Sequence, residues 1–318
     1  MFVKAIAAAL PLCLAACTAV PLSEPVSTDV LAEPSPPPEA VKGHEMQMAF
    51  LNACERWDEW AKPAPPFQLM GNSWYVGTCG ISSVLITGED GHMLIDSGVP
   101  EAAPLVLANI AALGFDAKDI RYILMSHEHF DHVGAHAALK EATGAQIVAS
   151  QKAKPVLETG VVAADDPQAA AGHPQMAPVK VDRVVHDGEV LSLGDLQVTA
   201  HATPGHSPGA LSWTWWSCSL PGEPPVCSRF AYIDSLSAVS ADDYRFTDHP
   251  EMVRAFRTSI DKVRSFQCDY LVTPHPSAGS MLDLISGEYG LFLHKGCGFY
   301  GERLSQRLDE RLAKEAAK

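Results

Sequence analysis

The stretch "SHEHFDHVGAH", residues 126–136, places three histidines and an aspartate between His127 and His132, directly after the apolar run "RYILM". A strand that runs into a loop sends residues i and i+2 to one side, so His127 and His129 can converge on one point. Asp131 and His132 follow and can aim at a second point beside it. A zinc site takes three or four N, O or S ligands at about 2.0–2.3 Å, and a catalytic one leaves a position open. The pattern H-x-H-x-D-H offers four donors where a strand ends, which is where a sheet delivers side chains to a cleft.

Two more histidines occupy similar settings. His206 lies in "TPGHSPG" after the strand-like "LQVTAHA", and His275 lies in "TPHP" directly after "DYLVT". They bring the donors to six, enough for two metal ions. Asp96, in "LIDSG", also follows a strand and is expected to support the ligand loop by hydrogen bonding. His136 and His201 read as structural or supporting residues, and the other histidines have no motif around them.

Around these points the chain alternates short strands and helices. "WYVGT", "SSVLITG" and "HMLIDSG" read as successive strands with a tight "EDG" turn. "APLVLANIAALG" has helical spacing and stops at Gly114. A helix through "AHAALKEATG" and a strand at "QIVAS" follow the cluster. Residues 155–180 show little periodicity and read as a long surface loop that can flank the site. The second half repeats the style with strands at "VDRVV", "VLSL", "LQVTAHA", "ALSWTWW" and "RFAYIDS". A helix at "EMVRAFRTSIDKVRSF", the strand "DYLVT" and a helical tail complete it. Two strand-rich halves with helices between them fit an α/β fold of two sheets packed face to face and covered by helices.

The formal charge of −15 disfavours nucleic acid as a partner, because phosphate contacts need Lys and Arg. There is no dinucleotide fingerprint and no P-loop. At the N-terminus, "MFVK" and the apolar Ala5–Ala16 end in "LAAC", which resembles a bacterial lipobox. The chain is therefore read as a signal peptide (1–16), a Pro-rich tether (17–44) and a folded body (45–318). Cys17 is expected to be acylated and to anchor the chain to the outer membrane, facing the periplasm. Beyond Cys13 and Cys17, six cysteines remain, which in an oxidising compartment suggests three disulfides. The turn-rich "SLPGEPPV" between apparent strands favours Cys218–Cys227; the spacing leaves Cys54, Cys79, Cys268 and Cys297 open.

In order along the chain, "GTCGISSVLIT", "HEHFDHVGA", "ATPGHSPGALSWTW", "IDSLSA" and "TPHP" resemble subclass B3 of the metallo-β-lactamase superfamily, over about residues 50–300. The resemblance implies a four-layer αβ/βα sandwich with two Zn2+ per chain. The first zinc would take His127, His129 and His206, and the second Asp131, His132 and His275. Ser235 stands where other subclasses carry a cysteine ligand; Ser235 and Ser237 would hold the substrate carboxylate. The implied reaction is attack of a metal-bound hydroxide, oriented by Asp131, on the amide of penicillins, cephalosporins and carbapenems, conferring resistance, in a monomer. Cys54–Cys79 and Cys268–Cys297 would be the remaining bridges.

Asp234 is the residue that bears on the alternative. Some hydrolases of the superfamily use an aspartate after a comparable strand to bridge their metals, whereas subclass B3 members carry the same "DS" outside the ligand set. An exported lactonase or thioester hydrolase on the same fold is thus the competing enzyme reading. A periplasmic zinc-binding structural protein is the non-enzymatic one; six N/O donors without a thiolate fit an open catalytic pair better.

Overall fold

The structure is a computed structural model that describes residues 38–219, 226–287, 290–293 and 295–317. The signal sequence, Cys17 and the tether up to residue 37 lie outside the described residues. Among the described residues no helix is long and apolar enough to cross a membrane.

The first half of the chain builds a seven-stranded sheet, ordered as in sequence: β1 (Phe67–Met70), β2 (Ser73–Tyr75), β3 (Val84–Gly88), β4 (Gly91–Ile95), β5 (Ile120–Leu124), β6 (Gln146–Ser150) and β7 (Arg183–Val185). The strands are antiparallel from β1 to β4 and parallel from β4 to β7. The second half builds a five-stranded sheet from β8 (Val190–Leu193), β9 (Leu196–Ala202), β10 (Leu211–Cys218), β11 (Cys227–Tyr232) and β12 (Tyr270–Val272), in the order β12-β11-β10-β9-β8. Only β12 runs parallel to its neighbour in this sheet.

Strand alternation sorts side chains into layers. Val84, Ile86, Met93 and Ile95 face Val198, Ala200, Leu211 and Trp213 in the core between the sheets. Leu85, Leu94, Ile123 and Ile147 point the other way, onto Val106 and Ile110 of α2 (Ala103–Ala112) and Leu139 of α4 (His136–Thr143). Phe256, Ile260 and Val263 of α6 (Pro250–Ser265) join Leu304 and Leu308 of α8 (Gly296–Ala316) to cover Ala231 and Leu271. Helix, sheet, sheet, helix is the four-layer order. Short helices α3 (Phe130–Val133), α5 (Lys154–Thr159) and α7 (Met281–Ile285) sit in the connections.

Three features differ from the reading of the sequence. Helix α1 (Pro38–Ala53) begins inside the segment read as tether, and its Phe50 is buried against Phe67 and Tyr75. The strand at "WYVGT" stops at Tyr75, because the chain there leaves the sheet: Cys79 N–H donates to Lys62 O at 2.9 Å and its sulfur bonds Cys54. The stretch 155–180 is no bare surface loop; α5 opens it, and Asp166, Gln168, Met176 and Val179 are buried. Among the described residues the disulfides are Cys54–Cys79, Cys218–Cys227 and Cys268–Cys297.

The two sheets also meet through a polar contact. Trp213, fully buried on β10, donates its indole N–H to Met125 O at 2.9 Å, just beyond β5. Trp213→Ala removes a large apolar side chain and leaves that carbonyl unpaired, so it is expected to lower stability by about 3–5 kcal/mol. Chemical denaturation of the metal-free protein measures it; a loss below about 1 kcal/mol would mean that the inter-sheet core does not depend on this residue.

Candidate metal centre

The cluster stands where the parallel strands end. After β5 the chain turns at Ser126, and His129 starts the single turn of α3, which carries Asp131 and His132. The turn is held from below by Asp96, which follows β4 in a left-handed conformation, φ 59°. Its carboxylate accepts from Ser126 N–H and Ser126 Oγ at 2.6 Å each and from Tyr232 O–H at 2.8 Å. Ser97 N–H donates to His132 O at 2.9 Å, fixing the far end of the turn. Asp96 thus supports the loop as its position in the sequence suggested.

His206 comes from the loop after β9, and His275 from the loop after β12. The rings pack closely: His127 lies 4.7 Å from His129, 4.2 Å from His132 and 4.7 Å from His206, centroid to centroid, and His132 lies 5.0 Å from His275. Donor atoms of His127, His129 and His206 lie within 4.8 Å of one another, as do those of His127, Asp131 and His132. His275 joins through Asp131, whose Oδ2 is 3.4 Å from His275 Nε2 and 3.0 Å from His132 Nε2. All six residues singled out in the sequence as metal donors are therefore brought together.

Four of the five imidazoles have their other nitrogen engaged. His127 Nδ1 donates to Asp234 Oδ1 at 2.8 Å, His206 Nδ1 to Ser237 O at 2.9 Å, and His275 Nδ1 lies 3.3 Å from Gly80 O. His129 uses Nε2 instead, 2.9 Å from Asp166 Oδ2, which leaves Nδ1 for the cluster. Outer partners of this kind set the tautomer and direction of metal-binding histidines. Asp234 sits behind His127, on the side away from its free nitrogen. Nε2 of His127 is buried without a hydrogen-bond partner, and the buried ring of His132 has only the ion-pair contacts of Asp131 and Asp96, at 3.0 and 3.6 Å. Buried polar nitrogens are rarely left so, and a divalent cation is the partner that a set of imidazoles and one carboxylate suits. The residues fit such an ion.

The charges follow from this crowding. Burial, reinforced by the neighbouring His132 and His129, holds His127 well below the usual imidazole range, and burial with His127 alongside brings His206 down to about 3. Burial works against charge on His132 too, but the Asp131 carboxylate outweighs it and pushes His132 up to about 10. Asp131 is held well below the carboxylate range, burial being overcome by the charge on His132.

Several contributors carried no signal in the sequence. Asp166 and Gln168, from the aperiodic 155–180 stretch, lie against His129 and His206, and His173 Nε2 is 3.1 Å from Gln168 Oε1. Trp57 and Trp60, 66% and 40% exposed, stand 6.3 and 5.9 Å from His275, and Phe130 lies 5.6 Å from Trp60 and 5.2 Å from His173. They make an aromatic rim at the mouth. Of the expected substrate serines, Ser235 Oγ is buried without a partner, and Ser237 Oγ lies 3.3 Å from His206 Nδ1.

The chain is similar to known proteins. The family described as "Metallo-beta-lactamase superfamily" matches residues 76–215. Among solved structures, the metallo-β-lactamase MIM-1 from Novosphingobium pentaromativorans is 49% identical, with a TM-score of 0.81, covering 85% of this chain and 98% of its own. MEM-A1, a subclass B3 metallo-β-lactamase isolated from a soil metagenome library, is 40% identical with a TM-score of 0.76, covering 81% of this chain and 99% of its own. SMB-1, solved bound to 2-mercaptoethanesulfonate, is likewise 40% identical with a TM-score of 0.76, covering 81% of this chain and 100% of its own. Curated relatives match over shorter spans: a hydroxyacylglutathione hydrolase of Mesorhizobium japonicum is 33% identical over 36% of this chain and 35% of its own length. The chain spans between about a third and a half of the length of the first such relatives.

Because His132 is protonated at neutral pH in the metal-free protein and must be neutral to bind a cation, metal uptake is expected to release about one proton from it at pH 7. Calorimetry in buffers of different ionisation enthalpy reads the number; no buffer dependence would contradict it. The linkage signs also follow. His132, raised to about 10, stabilises the metal-free fold below its unfolded value near 6.5, and that contribution is lost as pH rises toward 10. His206, lowered to about 3, stabilises above its unfolded value and loses that contribution as pH falls toward 3.

Proposed function

This chain belongs to the metallo-β-lactamase superfamily, and on that premise we propose that it is a subclass B3 enzyme that hydrolyses the amide bond of β-lactam antibiotics. The observation that carries the reading is the convergence of five buried or partly buried imidazoles and Asp131 on two adjacent positions, in a chain so similar to MIM-1 and MEM-A1.

His127, His129 and His206 would hold one zinc ion, and Asp131, His132 and His275 a second. Zinc bound there lowers the pKa of a water to about 7 and supplies positive charge for the developing anions of carbonyl oxygen and amide nitrogen. The protein's own groups do the rest. Asp131, charged and wedged between His132 and His275, accepts a hydrogen bond from the attacking water and aims it at the lactam carbonyl. Ser235 Oγ, buried with its hydrogen-bonding capacity unused, and Ser237 receive the substrate carboxylate. The Ser237 backbone already anchors His206, so substrate and ligand share one fixed segment. Trp57, Trp60 and Phe130 shield the mouth from water and present an apolar wall to the substrate's substituents. Asp234 takes His127 Nδ1 as its partner, on the side away from the other donors, which supports this reading over that of a lactonase or thioester hydrolase. Three disulfides agree with a place outside the cytoplasm, and Cys17 in "LAAC" extends that to a lipid-anchored periplasmic enzyme.

The purified chain is expected to hydrolyse a carbapenem and a chromogenic cephalosporin, to lose activity to a chelator and to regain it with zinc. A zinc-loaded protein that cleaves a lactone or thioester but no β-lactam would refute the substrate. Replacing Ser235 and Ser237 by Ala should raise KM about tenfold or more, the loss of one or two charge-assisted hydrogen bonds, at unchanged zinc content; equal loss of zinc would remove them from substrate binding. Cys17→Ser is expected to shift the enzyme from membrane to soluble periplasmic fractions, and an unchanged distribution would reject the anchor.

A further inference from the structure

Between His127 and His129 the chain places a carboxylate that the chemistry above does not use. Glu128 is 1% exposed, and among the described residues no basic side chain pairs with it. A buried carboxylate without a counter-charge carries a desolvation penalty that an apolar residue of the same size would not. Its two oxygens are fully employed: Oε2 accepts from Ser207 Oγ and Oε1 from Gly209 N–H, each at 2.7 Å. Both donors belong to the loop that carries His206.

A single backbone bond between the two segments lies beside this clamp. Leu211 N–H donates to Ser126 O at 2.6 Å. Two residues back on one segment and two forward on the other, Gly209 N–H meets the Glu128 carboxylate. Gly209 is what permits the approach. A Cβ at that position would lie 2.7 Å from Glu128 Oε1 and 2.7 Å from Ala153 N, so any other residue would push the loop off. Ser150 Oγ donates to Gly209 O at 2.7 Å and holds the loop from its other side.

We propose that Glu128 is a positioning residue: by clamping Ser207 and Gly209 it sets the gap between His206 and the His127–His129 pair. The proposal rests on the reading that these three histidines share one zinc ion. The gap matters because a tetrahedral zinc site tolerates only a few tenths of an ångström in its ligand distances.

The test uses the full-length chain, titrated with cobalt(II) for its ligand-field spectrum and with zinc against a competing chelator. His206→Ala identifies which of the two binding steps uses the three histidines. Glu128→Ala is expected to weaken that same step roughly 10–100-fold, the usual scale for lost outer partners, to alter its cobalt spectrum and to leave the other step nearly unchanged. Glu128→Gln keeps an acceptor for Gly209 and can donate to Ser207 Oγ, so it should recover most of the affinity; Ser207→Ala should fall between. Wild-type affinity and spectrum in Glu128→Ala would overturn the proposal, as would a Gln variant as impaired as the Ala one. If Glu128→Ala does not fold, Ser207→Ala decides, and unchanged metal binding there counts against the clamp. If His206→Ala leaves both steps intact, the ligand reading itself fails, whatever the Glu128 variants do.

Discussion

Imidazole rings packed 4.2–5.0 Å apart in a largely buried site cannot all carry charge. This constraint governs the centre. Some rings are forced neutral, His127 and His206 most strongly, while His132 stays protonated only because Asp131 lies against it. The metal-free cluster therefore sets neutral imidazoles against others whose charge is held by a neighbouring carboxylate, Asp131 for His132 and Asp166 for His129. Binding of a divalent cation is what such a set of imidazoles and carboxylate suits.

The outer partners are what keep the cluster from relaxing in the absence of metal. They come from many directions: Asp234 after β11, Asp166 from the 155–180 stretch, the Ser237 carbonyl, and the Gly80 carbonyl beside the Cys54–Cys79 bridge. Each is itself rigidly placed. Gly80 is pressed so closely against the Asp58 and Glu59 carbonyls that a Cβ would lie 2.6 and 2.7 Å from them. Trp57 and Trp60 of the aromatic rim follow Cys54 in the chain, so one disulfide-bound strap serves both the mouth and His275.

How much of this was legible in the sequence depends on the range of the interaction. The strands and the H-x-H-x-D-H turn were visible because alternation and i, i+2 spacing are local properties, and His206 and His275 because each follows a strand in a Pro- or Gly-marked loop. The sandwich itself could be read from two runs of apolar alternation. Asp166 and Gln168 were not visible, since nothing in "DDPQ" distinguishes a residue folded over a metal site from one in a solvated turn. Glu128 was hidden for a different reason: it was overshadowed by the histidines on either side, and its partners lie some eighty residues away. Helix α1 escaped because its opening residues share the Pro and Glu composition of the tether, although Phe50 and Cys54 further along commit it to the core.

The six donors are drawn from the ends of two different sheets, so the complete centre exists only in the assembled chain. Binding energy at the centre is then available only to the completely assembled chain, and it adds to the stability of that state alone. At a free metal concentration a hundredfold above the dissociation constant the gain is about 2.7 kcal/mol for each site, a sizeable part of what holds a protein of ordinary stability together. Scarcity of the metal would therefore reduce more than turnover: it would leave a larger unfolded fraction exposed to proteolysis, so that the amount of protein, and not only its specific activity, follows the supply of the ion.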